Sequence, residues 1–357
     1  MPSEVTSDRF WRLAPAGVFL FALALGLIRL GAQPIWYDEQ VTRDTAMRSW
    51  SGIWDASRAT EAPHLVYYAL LKPWLAVAGT SDWALRAPSV VAAAFAAAAT
   101  AVLGRTLFGR GAGLVAGIAL AAGSFFVSWA QQARGYTLAV LLVTLATYAF
   151  VRAASSDRSA WWAAWAVALA AAGWVNVFAF SVVAAHATAF LLMRPRPPLR
   201  RPAIALFIAL AAFLPQVVLV ATGDNGQLDW IPSPTPYHVA IGMWDWASRN
   251  PVAVLAAAIG LVQLTRGAVP MAARWKTALV AIWLAAPLVA TLAASIVQPA
   301  FEARYVLAAA PAMALAIGAG AVSLPRRLAL ALAVLLVLSA AVRLAQLYVA
   351  PGEPLLH

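Results

Sequence analysis

The run WWAAWAVALAAAGWVNVFAFSVVAAHATAFLLM, residues 161–193, carries no charged side chain over 33 residues. As one helix it would reach about 50 Å, against a hydrocarbon core of about 30 Å. Gly173 and Asn176 lie near its middle. The run therefore divides into two short membrane spans, with Asn176 and His186 as packed polar groups rather than ligands.

The rest of the chain repeats the pattern. Apolar segments bounded by charge fall at 12–32, 87–104, 111–130, 137–151, 161–175, 177–193, 203–222, 250–265, 277–297, 304–323 and 328–349. The 357 residues are 63% hydrophobic and 11% charged, too apolar for a soluble domain to bury. The expected architecture is an all-α polytopic membrane protein with about 11 transmembrane helices, forming a single domain over residues 1–357. Cysteine is absent, which excludes thiol catalysis, disulfides and cysteine-ligated zinc. Arg9 and Arg12 precede an apolar run from Leu13 to Ile28 without a clean small-residue cleavage site, so the segment reads as a retained signal anchor.

The formal charge of +11 comes in short clusters between apolar runs, as membrane orientation requires, rather than in a nucleic-acid-binding patch. With the N-terminus cytoplasmic and eleven crossings, the inner side takes fifteen of the 25 basic residues and three of the 14 acids. The segment 65–79, LVYYALLKPWLAVAG, is short and broken by Lys72 and Pro73. Making it a crossing would put the later basic clusters outside, so it reads as an interfacial helix.

Two large outer loops follow from this topology, 33–85 and 223–249. The first opens with QPIWYDEQVTRDTAMRSW, residues 33–50, in which Asp38 and Glu39 follow an interfacial Trp36–Tyr37 pair. Two arginines, Arg134 and Arg304, lie at outer ends of spans, where the positive-inside tendency disfavours them and an anionic partner is expected. Carboxylates facing arginines at a bilayer surface suit a lipid-linked sugar phosphate. A carboxylate base activates the attacking hydroxyl, a cation receives the departing phosphate, and the anomeric centre inverts. Glu39, Asp44 and Asp55 read as solvated or helix-capping acids. Trp36, Tyr37, Trp50, Trp54, Tyr67, Tyr68 and Trp74 form either an aromatic belt or a sugar platform. QLDWIPSPTPYH, residues 227–238, is either a loop capping the site or a plain surface loop. In EAPH, Glu61 and His64 stand three residues apart. They could share a divalent cation such as Mg or Mn if the turn is helical, or instead cap the helix and face solvent.

The ordered set WYDE (36–39), EAPHLVYY (61–68), SDWALRAPS (81–89), QQARGYTL (131–138) and ARYVLAAAP (303–311) resembles the GT-C membrane glycosyltransferases. The likeness is to their branch of protein O-mannosyltransferases and lipid A aminoarabinose transferases. It implies that Asp38 is the base, that Glu61 lies near the donor phosphate and can hold a metal, and that Arg86 enters the second span. It also implies that Arg304 with Tyr305 meets the lipid phosphate; Arg134, the other arginine at an outer span end, is the alternative for that role. Ala62 stands where aminoarabinose transferases have lysine, and His64 where many relatives have proline. The expected function is transfer of a sugar, mannose first, from a polyprenyl-phosphate donor to a glycolipid, polysaccharide or protein acceptor. The expected place is the outer face of a bacterial inner membrane. The competing class, a transporter or flippase for lipid-linked sugars, predicts ionisable groups near the bilayer midplane and paired repeats, and neither is visible.

Overall fold

The computed structural model describes residues 2–223, 228–266 and 274–349, and no strand occurs among them. The helices in chain order are α1 (Pro2–Leu27), α2 (Tyr37–Met47), α3 (Trp50–Ala56), α4 (Leu65–Ala78), α5 (Asp82–Phe108), α6 (Arg110–Ala121), α7 (Ser124–Ala130) and α8 (Tyr136–Ser156). They continue as α9 (Ser159–Val175), α10 (Val183–Leu192), α11 (Arg200–Thr222), α12 (Pro236–Trp246), α13 (Pro251–Arg266), α14 (Arg274–Ala294), α15 (Ala310–Ser323) and α16 (Arg326–Val349).

Six helical segments are long and apolar enough to cross a membrane: α5, α8, α11, α14, Ala303–Ser323 and α16. Two bent pairs, α6–α7 at 59° and α12–α13 at 93°, raise the number to eight if each is one span. The other three expected runs fall on shorter apolar helices, Leu13–Leu27, Ser159–Val175 and Val177–Leu192. Length and composition thus identify six to eight spans among the described residues, with the three shorter apolar helices falling below that length. The uncharged run 161–193 does divide at Asn176. The Asn176 side chain accepts a 3.0 Å hydrogen bond from the Phe178 amide, starting the 3₁₀ segment Val177–Val182 that leads into α10.

Several boundaries differ from expectation for local reasons. α5 starts at Asp82 rather than 87 because Ser81 caps it, its hydroxyl accepting from the Ala84 amide at 3.2 Å. The expected loop 223–249 contains a helix, α12, capped by Thr235 and opened by Pro236. Ser248 and Arg249 then turn the chain with positive φ angles of 63° and 49°. The Ser248 hydroxyl accepts from the Phe125 amide at 3.2 Å, tying that turn to the start of α7.

α5, α6, α13 and α15 pack closely against one another, as α8 does against α9. A Cβ on Gly113 would collide with the Ala101 carbonyl, and one on Gly260 with the Ala316 carbonyl. Close backbone approach through small residues gives van der Waals contact where lipid supplies no hydrophobic drive between helices. α11 and α16 instead turn Phe207, Ile208, Leu214, Leu335, Val337 and Leu338 outward. Apolar side chains on those faces suit contact with acyl chains.

Candidate active site

α2 forms because Trp36 is extended (φ −94°, ψ 173°) and two acids, Asp38 and Glu39, lie in its first turn, where the helix dipole favours negative charge. The two acids face different partners. Glu39 is fully buried, which corrects its reading as a solvated or capping group. Arg86 grips it with two bonds, Nε to Oε1 at 2.8 Å and Nη2 to Oε2 at 2.6 Å. The remaining Arg86 N–H groups donate to the carbonyls of Leu30, Gln33 and Pro34. The Ala133 amide donates to Glu39 Oε1 at 2.8 Å. Burial of both charges is tolerable because every guanidinium N–H is satisfied. The pair ties α2 to α5, to the chain leaving α1 and to the loop before α8.

Asp38 is partly exposed and pairs with Arg134, Nη2 to Oδ2 at 3.1 Å. Arg134 Nη1 also donates to the hydroxyls of Thr42 at 3.3 Å and Tyr68 at 3.4 Å. Its backbone is held as well. The Ser89 hydroxyl donates to the Arg134 carbonyl at 3.0 Å, which leaves the Tyr67 hydroxyl to donate to Ser89 Oγ at 2.9 Å. The expected anionic partner of Arg134 is therefore Asp38 itself.

Arg304 is different. It opens a buried 3₁₀ segment, Ala303–Ala309, fixed by the Trp283 indole N–H donating to the Ala308 carbonyl at 2.9 Å. Its guanidinium lies over three rings, at 5.1 Å from Trp230, 5.4 Å from Tyr305 and 5.7 Å from Trp129. Its Nε is buried without a hydrogen-bond partner, and among the described residues no carboxylate forms an ion pair with it. Asp38 and Glu302 are close enough to act on its charge without contacting it. Glu302 has its carboxyl pushed up by burial, an effect that Arg304 opposes. Tyr305 stacks on Phe178 at 5.7 Å, so the break at Asn176 delivers a ring to the site. Trp36, Trp129 and Tyr136 complete the aromatic wall, with Trp129 edge-on to both others.

His64 occupies the N-cap position of α4 without a side-chain capping bond and is half-buried, with Nδ1 lacking a hydrogen-bond partner and its ring 5.9 Å from that of Tyr68. Burial first, then the charges of Arg134 and Arg304, hold its pKa well below the usual histidine range. The backbone of residues 57–61 is a π-helical turn followed by a 3₁₀ turn over Ala62–His64. The Ala62 carbonyl is held by Gln216 of α11 at 2.9 Å. The side chain of Glu61 lies outside the described residues, so the structure neither joins nor separates the expected Glu61–His64 metal pair. Among the described residues no three His, Asp or Glu side chains gather as a cation site.

The structure therefore brings Asp38, Arg134, Arg304, Tyr305 and His64 together from four separate parts of the chain. It places Glu39 and Arg86 beneath them as a brace. Reading the sequence missed Thr42, Gln216, Tyr136 and the tryptophans at 129 and 230. The last three do lie in stretches whose aromatic content was visible.

The arrangement of helices matches solved structures. Two are of ArnT from Cupriavidus metallidurans, one in the apo state and one bound to undecaprenyl phosphate. Each matches with a TM-score of 0.62 at 17% identity, covering 98% and 96% of this chain respectively and 66% of the ArnT chain. The chain has the GT-C fold. Residues 61–219, from the end of the π-helical turn to α11, also match the family model described as dolichyl-phosphate-mannose-protein mannosyltransferase. No curated protein matches the chain by sequence. The chain spans just under two thirds of the length of ArnT. Within the GT-C fold, the matched segment carries His64, Arg86 and Arg134, while Asp38 and Arg304 flank it on either side.

Proposed function

We propose that the protein is an integral membrane glycosyltransferase. It transfers a sugar, mannose as the first candidate, from a polyprenyl-phosphate donor to an acceptor hydroxyl at the outer face of a bacterial inner membrane. The observation that carries this reading is Arg304. It is 6% exposed, ringed by aromatic side chains, and among the described residues forms no ion pair with a carboxylate, whereas Arg86 and Arg134 both do. A buried cation with no carboxylate in direct contact is costly, and a phosphate oxyanion meets that need bidentately. The fold supports the same ligand class, since ArnT has been solved with undecaprenyl phosphate.

The chemistry follows from the two partners. Asp38 accepts the proton of the acceptor hydroxyl, whose oxygen attacks the anomeric carbon. The bond from that carbon to the phosphate oxygen breaks on the opposite face, and the configuration inverts. The electron pair leaves with the polyprenyl phosphate, whose charge Arg304 and the Tyr305 hydroxyl receive. Arg134 fixes the direction of the Asp38 carboxylate. The Glu39–Arg86 brace holds α2 so that Asp38 stays beside Arg134.

The test is direct. Protein reconstituted in nanodiscs is incubated with radiolabelled polyprenyl-phosphate sugars and a membrane-lipid or peptide acceptor. Transfer of label with release of polyprenyl phosphate is expected. Failure to bind undecaprenyl phosphate, together with absence of transfer, would sink the reading.

A further inference from the structure

We propose that Trp230 is the wall against which the donor's sugar ring stacks, and so a determinant of which sugar is accepted. The inference rests on the donor reading above and extends it from the phosphate to the sugar. Three rings surround the Arg304 guanidinium, and two of them are already committed. Trp129 is 2% exposed and packs against Phe125, Tyr136 and Trp36. Tyr305 is half-buried between Tyr136 and Phe178. Trp230 is the closest of the three to the guanidinium carbon, at 5.1 Å, and is 58% exposed. It thus combines contact with the buried cation and a large free surface.

The loop holds it there by ordinary means. The next residue, Ile231, is buried at 3% exposure, and its amide donates to the Leu228 carbonyl at 2.9 Å in a turn. Pro232 and Pro234 then stiffen the chain up to α12. An indole anchored by its neighbour loses little entropy on binding, which makes it a good contact surface.

The position of the sugar follows from its chemistry. A single bridging oxygen separates the phosphorus from the anomeric carbon. A phosphate seated on Arg304 therefore brings its sugar within about a ring's width of Trp230. One face of a pyranose presents mainly C–H groups, which pack on an aromatic face, while its hydroxyls remain free to hydrogen-bond elsewhere. The bland alternative is an interfacial tryptophan that happens to cover an arginine.

Those two roles separate when sugar-free and sugar-bearing lipids are compared. Labelled undecaprenyl phosphate is bound to nanodisc-embedded protein and displaced by unlabelled undecaprenyl phosphate or by its mannosyl or aminoarabinosyl ester. Trp230→Ala is expected to weaken the better-bound ester by about 10-fold and the sugar-free lipid by no more than about 2-fold. Trp230→Phe should fall between, since it keeps a smaller ring. Equal loss for both lipids would overturn the inference, leaving Trp230 as a support for Arg304. Unchanged affinity for both would also overturn it. Failure of the unaltered protein to bind either lipid is a different result, and it would remove the donor reading together with this one.

Discussion

Asp38 and Glu39 are neighbours in the first turn of α2 yet pair with different arginines, Asp38 with Arg134 at 3.1 Å and Glu39 with Arg86 at 2.6 Å. Asp38 retains 23% side-chain exposure and Glu39 has none. A helix turns by about 100° per residue, so adjacent acids point in different directions. One stays partly exposed beside Arg134 and the other lies in the packed interior.

The chemical consequence falls on Asp38. Asp38→Asn preserves size and can still meet Arg134, but it cannot take a proton. Turnover should fall by about 10²-fold or more while affinity for undecaprenyl phosphate holds, within the usual range for loss of a general base. Steady-state transfer and lipid binding measured on the same preparation check this. Turnover at the unaltered rate would remove Asp38 as the base.

The structural consequence falls on the other pair. Glu39→Ala or Arg86→Ala leaves a fully buried charge without its partner, a change that costs about 3–5 kcal/mol. Either variant should lose yield and apparent melting temperature in detergent, with whatever folds retaining normal donor affinity. Asp38→Asn should leave the melting temperature nearly unchanged. A fully stable Glu39→Ala protein would contradict the bracing role.

The sequence carried the spans because membrane thickness imposes a length that hydropathy reveals, and the break at Asn176 followed from that length alone. It also pointed to Asp38, Arg134 and Arg304, which the fold brings near one another, since a charged group beside an apolar run needs a reason. What it could not carry was pairing. Glu39 and Arg86 are 47 residues apart, and no local pattern reveals that the first is buried and the second saturated. The bend between α6 and α7, the left-handed turn at Ser248–Arg249 and the grip of Gln216 on the Ala62 carbonyl are likewise set by tertiary contact. Gln216 in particular sits in an apolar run where its amide signals nothing by itself.

Arg304 offers a test of geometry against charge. Lysine keeps the positive charge but not the planar fork that meets two phosphate oxygens, and it fits an aromatic sleeve less well. Arg304→Lys should weaken undecaprenyl phosphate binding by about 10-fold or more, and Arg304→Ala further still. Displacement binding in nanodiscs measures both. Equal affinity of Arg304→Lys and the unaltered protein would return Arg304 to a packing role.

The orientation rests on charge and is tested by reporters. Thr80 lies between α4 and α5, on the site's side of the expected topology, and Arg196 lies in the basic segment between α10 and α11. A periplasmic phosphatase fused after Thr80 should be active, and one fused after Arg196 inactive. Activity at Arg196 would reverse the side or change the parity of the spans between them.

His64 makes a prediction about acid. Its ordinary pKa is 6.5, and in the folded protein burial first, then the charges of Arg134 and Arg304, hold it well below that value. The groups facing it are those two arginines and the Tyr68 ring. Between the folded and unfolded pKa values the unfolded chain binds a proton that the folded protein refuses. Stability therefore rises with pH up to about 6.5 and is lost progressively as the pH falls below it. The apparent melting temperature in detergent should drop between pH 7.5 and pH 5, and His64→Gln, which cannot titrate, should show a smaller drop. Other acids and histidines titrate in both proteins, so the difference between the two curves is the quantity that counts. Parallel curves would show that His64 takes up its proton as easily folded as unfolded, and that the two arginines do not press on it.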